Sequence, residues 1–148
     1  MSRRGAVVAA SVALLAGCGS AVTKQDVVVR ADAICGGAVR ALRALTPVTS
    51  GAGLAAYLDR VTAIVASEAS QLRRLPRPAQ DRALLTRYID SAGQIATEFE
   101  ALASAARTGD SAAIATATSA LRTNPAPVLA ARYGLRDCAG AAATVGSG

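Results

Sequence analysis

From Leu85 onward, apolar residues return at alternating three- and four-residue steps through Tyr88, Ala92, Ile95, Phe99, Leu102 and Ala106. Only an α-helix gathers that spacing onto one face. Arg82, Arg87, Asp90, Gln94, Glu98 and Glu100 fall off the stripe, so the segment predicts an amphipathic helix from about Ala79 to Arg107, with Pro78 suited to its entry. A chain built around such a helix needs other helices to cover it.

Three further segments supply them. Val28, Ala31, Cys35, Ala38, Leu42 and Leu45 predict a helix from about Lys24 to Leu45, started by a Thr23/Asp26 capping box and ended by Pro47 and Gly51. Its Gly36-Gly37 pair costs about 1 kcal/mol per glycine relative to alanine. Leu54, Leu58, Val61, Val65, Leu72 and Leu75 predict a second helix, stopped by Pro76-Arg77-Pro78. After the long helix, Gly109 and Asp110 read as a C-terminal stop and an N-cap. The last helix then carries Ile114, Ala117 and Leu121 and meets Asn124-Pro125-Ala126-Pro127. Proline removes a hydrogen bond and clashes with the preceding turn, so a kink or break is expected at Pro125/Pro127, with Asn124 capping a closing segment through Leu129 and Tyr133. Gly134-Leu135 has the form of a glycine C-cap with its hydrophobic contact. The tail from Ala139 to Gly148 shows no polar periodicity and is expected to be disordered. Short connections make helical neighbours antiparallel, and the expected fold is all-α: an up-down four-helix bundle over residues 24–138.

The second helix contains one chemical oddity. Glu68 occupies the slot between Val65 and Leu72 where the stripe asks for an apolar residue. A small rotation would put Ala69 inward and let Glu68 reach the edge toward an arginine. Alternatively Glu68, with Tyr57 and Tyr88, presents polar groups to a ligand held between helices. Ordinary packing, with each hydroxyl reaching water, accounts for the two tyrosines equally well.

Upstream of the helices, Arg3 and Arg4 precede an apolar run from Ala6 to Ala16, the pattern of a secretory signal. That run is too short to span a membrane. Arg3-Arg4 also permits a twin-arginine reading, which Gly5-Ala6-Val7 does not strengthen. Leu15-Ala16-Gly17-Cys18 resembles the lipobox of bacterial lipoproteins. The resemblance implies that residues 1–17 are removed, that the Cys18 thiol carries a diacylglyceryl group, and that residues 18–23 form a short tether. An ordinary signal peptide with an incidental cysteine is the alternative. Two acyl chains suffice for stable anchoring where one is marginal. The expected location is the extracytoplasmic face of the cell membrane.

With Cys18 acylated, Cys35 and Cys138 remain, in a compartment where disulfides persist. They are expected to pair, two free buried thiols being the alternative. In the up-down bundle the chain's end returns beside the first helix, yet Cys35 lies mid-helix. Pairing therefore requires the closing segment to fold over the bundle or the first helix to extend past it.

Removal of Arg3 and Arg4 lowers the net charge from +6 to about +4, and the basic residues are spread along the chain, nearly all arginine. Without a cluster or interleaved aromatics, nucleic-acid binding has little support. The chain has no histidine, which removes the commonest general base and zinc ligand. No metal, cofactor or catalytic residue is expected, and the chain does not read as an enzyme. The alanine-rich, arginine-over-lysine composition points to a GC-rich genome.

Ala31-Asp32-Ala33-Ile34-Cys35, Leu75-Pro76, Gly109-Asp110 and Tyr133-Gly134-Leu135-Arg136-Asp137-Cys138 together resemble small actinobacterial lipoproteins of unassigned function, over most of residues 26–138. The resemblance implies a helical domain with a Cys35–Cys138 bridge, and brings no ligand. Two functional expectations follow. The first is a non-catalytic interaction module, held at the membrane by its lipid and binding an envelope protein or cell-wall component. The second is a carrier or sensor of an apolar or lipid ligand between the helices.

Overall fold

The computed structural model describes residues 21–51 and 53–145. The leader, the lipobox and Cys18 lie outside the described residues. Six helices follow in order: α1 (Lys24–Arg43), α2 (Leu54–Arg73), α3 (Arg82–Thr108), α4 (Ser111–Thr123), α5 (Ala126–Tyr133) and α6 (Arg136–Val145). The fold is all-helical, with no strand among the described residues.

Local chemistry sets most of the helix ends. Thr23 and Asp26 form the reciprocal capping box: Asp26 N–H donates to the Thr23 hydroxyl at 3.2 Å, and Thr23 N–H to the Asp26 carboxylate at 2.9 Å. α3 ends on Gly109 in the left-handed region, φ 70°, and Asp110 then accepts from Ala113 N–H at 3.0 Å to start α4. α4 stops at Thr123 and Asn124 is extended. The Asn124 side chain accepts from Ala126 N–H at 2.9 Å and donates to the Ser91 carbonyl of α3 at 3.1 Å, so one residue starts α5 and fixes it to α3. Pro125 and Pro127 fall at the entry of α5, where a missing N–H costs nothing. Gly134, φ 99°, closes α5, and the Leu135 N–H bonds back to the Ala130 carbonyl at 2.9 Å while its side chain is fully buried.

Three sequence expectations need correction. The long helix begins at Arg82 rather than Ala79, because Ala79 and Gln80 are used in a turn that leaves Asp81 left-handed at φ 60°, a conformation aspartate tolerates. Val27, fully buried, replaces Val28 on the inward face of α1, with Val28 packed at its edge. Residues 139–145 are helical rather than disordered. Their alanines favour the helix, and α6 is nucleated from outside itself, at a carboxylate of α1 and at the Cys138 bridge.

The core has two parts. Val27, Ala31 and Cys35 of α1 meet Leu72 and Leu75 at the end of α2, Leu85, Tyr88 and Ile89 at the start of α3, and Leu129, Tyr133, Leu135 and Cys138 of the closing segments. Val61 and Val65 of α2 meet Phe99 of α3 in the second cluster, with Leu42, Tyr57, Leu102 and Leu121 at its margin. All of these lie within residues 27–138. α3 borders α2, α4 and α5. That is why Ser91 and Gly93, off the apolar stripe, are buried as well. α1 borders α2 and α6, so α6 closes the flank of α1 opposite α2.

Candidate functional site

Small residues on the facing surfaces of α1 and α2 leave an open groove of about 380 Å³ unfilled between them. Ile34, Gly37 and Ala41 of α1 face Ile64, Glu68 and Gln71 of α2 across it. Ala69, 1 % exposed, takes the seam position, which rotates Glu68 to the groove wall. No ion pair joins Glu68 to an arginine among the described residues. Half-buried and without a countercharge, its carboxyl is pushed up to about 7 by desolvation. Beside it Gln71 donates to the Ser67 hydroxyl at 3.4 Å. The groove is thus an apolar channel flanked by the Glu68 carboxyl and two neutral polar side chains, Ser67 and Gln71.

Behind the groove lies the disulfide. Cys35 and Cys138 are joined across 103 residues with their Cα atoms 5.0 Å apart. α6, folded against α1, provides the approach that a plain four-helix path lacked. The Tyr88 hydroxyl, buried at 3 %, donates to Cys35 Sγ at 3.4 Å, because a bridged sulfur carries no hydrogen. Burial raises the Tyr88 phenol above its ordinary range, with the carboxylates of Glu68 and Asp32 adding to the rise. Tyr88 and Glu68 therefore sense each other electrostatically, yet the tyrosine faces the bridge. Tyr57 is not part of this group. It packs at the margin of the second core cluster, eleven residues from Glu68 along α2, about 16 Å at 1.5 Å per residue.

No protein-family model, curated protein or solved structure matches this chain.

Asp32 is a carboxylate beside this group that the sequence pattern passes over. From the third turn of α1 it accepts the Arg136 N–H at 3.2 Å and the Asp137 N–H at 3.0 Å, capping α6 across more than a hundred residues. Its only local signal is its place three residues before Cys35, with Asp137 immediately before Cys138. A second open hollow, about 540 Å³, lies over this junction between α1 and the start of α6. No group of three His, Cys, Asp or Glu among the described residues could hold a metal ion, and no described helix is long and apolar enough to cross a membrane.

Proposed function

We propose that this chain is an extracytoplasmic lipoprotein, anchored at Cys18 to the cell membrane, whose helical domain is a non-catalytic interaction module of the envelope and whose α1–α2 groove is the binding face. The observation that carries the reading is the Cys35–Cys138 bridge. It uses the two cysteines left over from the lipobox, and such bridges persist outside the cytoplasm. The signal pattern and the likeness of the Cys35 and Cys138 segments to small actinobacterial lipoproteins support the same reading.

The domain is an antiparallel up-down bundle of α1, α2, α3 and α4, with the chain turning after the Asn124-Pro125 break to lay α5 against α3 and α6 against α1. Two ion pairs support this. Lys24 at the start of α1 bonds Asp81 before α3 at 2.8 Å, and Arg107 at the end of α3 bonds Asp59 near the start of α2 at 2.6 Å. The carrier reading has less support, because the two hollows described above are open to solvent and Tyr57, Glu68 and Tyr88 do not converge on either of them.

A photo-crosslinking residue at Gln71, tested in intact cells, is expected to trap one reproducible envelope partner. Glu68→Lys abolishes that product, and the same probe at Glu100 does not form it. Absence of a reproducible product from Gln71, or indifference to Glu68→Lys, contradicts the groove as the binding face.

A further inference from the structure

We infer that the end of the domain from which the tether leaves is a second, electrostatic contact with the membrane, docking on anionic lipid headgroups and setting the domain's orientation. This rests on the anchor reading above. The charge of the chain is sharply divided. The stretches 24–32, 73–90 and 132–137 hold nine cations against five acids, and the remainder of the mature chain holds five of each. The whole net charge of about +4 therefore sits in three stretches distant in sequence.

Contacts bring those stretches together around the start of α1. Lys24 pairs with Asp81, which places the adjacent Arg82 there. The Lys24 ammonium also lies over the Tyr133 ring, 4.8 Å from its centre, which brings in Arg132. Asp32 holds the Arg136 N–H. Leu75 packs in one cluster with Val27, which brings in Arg74. Arg74, Arg82, Arg132 and Arg136 are all exposed, and none forms an ion pair among the described residues. Elsewhere Asp59 pairs with Arg107, and the remaining four arginines and four acids of the mature chain balance in number.

Tether length selects the occupant. Five residues, 18–22, separate the acylated position from Thr23, a reach of at most about 18 Å even when fully extended. The basic end is thus confined near the headgroup plane, where a Debye length of about 8 Å leaves the attraction effective. A phosphatidylglycerol-type surface complements four exposed guanidiniums, and each arginine near such a surface is worth about fivefold in binding. Docked this way, the α1–α2 groove stands on the flank of the domain, free for its partner.

The test uses the mature chain, residues 18–148, with Cys18→Ser so that no acyl group contributes. Its sedimentation is measured with phosphatidylglycerol-containing vesicles and with pure phosphatidylcholine vesicles, at low and high salt. The inference expects binding only to the anionic vesicles, lost at high salt. R74Q/R82Q/R132Q/R136Q weakens it by about a hundredfold or more, whereas R43Q/R60Q/R122Q weakens it less than about threefold. Circular dichroism checks that both variants stay helical; should the first unfold, the salt series and the lipid comparison still decide. Equal binding to both vesicle types, no binding, or equal sensitivity to the fourfold and the threefold variant overturns the inference. Intact mass of the wild-type chain from membranes reports acylation separately. An acylated chain whose domain ignores anionic vesicles sinks this inference alone, and a domain that selects them in a chain without the acyl group sinks the anchor alone.

Discussion

Desolvation pushes the Glu68 carboxyl up, and the consequence is a pH dependence of stability with a definite sign. Its folded pKa, about 7, exceeds the ordinary 4.5. The folded state therefore holds the proton more tightly than the unfolded chain between those values. Stability from this group is complete below about pH 4.5 and is lost as pH rises through about 7, a loss on the order of 1–3 kcal/mol. Glu68→Gln is expected to flatten that slope and to be the more stable protein at pH 8; urea titrations across the range measure it. A variant with an unchanged slope would show that the carboxyl is solvated in both states. Asp32 has the opposite role. Asp32→Ala removes both acceptors at the start of α6 and is expected to cost about 1–2 kcal/mol, with the earliest amide exchange in residues 136–140. Glu68 was legible as an anomaly because it breaks a local stripe. Asp32 was not, because its partners are 104 and 105 residues away.

Among the helices, α6 depends most on the rest of the molecule. Ten residues, four of them alanine, make a marginal helix alone. The Asp32 cap and the Cys138 bridge supply what its length does not. Replacing Cys35 and Cys138 together by alanine is expected to lower stability by about 4–5 kcal/mol, the chain-entropy value for a loop of this length. The loss of helical signal on thermal unfolding should then begin in α6. Asn124→Ala acts at the other junction, removing the α5 start and its bond to Ser91 for a cost of about 1–2 kcal/mol, read by chemical denaturation. The caps at Thr23/Asp26, Gly109/Asp110 and Gly134/Leu135 could be read from sequence because each is a side-chain or glycine signature within a few residues. Where Arg82 begins α3 could not, since Pro78 suits a helix entry and nothing local forbids three more residues of helix. The tail was misread for the reason α6 is marginal: its own residues carry no amphipathic pattern.

At the scale of the molecule, the proposed location and interaction are joined by geometry. In the proposed arrangement, with Cys18 acylated, the tether emerges from the basic end at the start of α1, and the groove flanked by Glu68 runs along the side of the domain. Fold class was legible from periodicity, which is a property of the stripe. The groove was not, because its width depends on which small residues of α1 and α2 come face to face. The central claim is the anchored, oxidised chain, and intact mass spectrometry of the protein extracted from membranes tests it most directly. The account predicts a chain beginning at Cys18, heavier by a diacylglyceryl group and lighter by two hydrogens for the Cys35–Cys138 bridge. A chain that retains residues 1–17, or one cut there with no acyl group on Cys18, contradicts it.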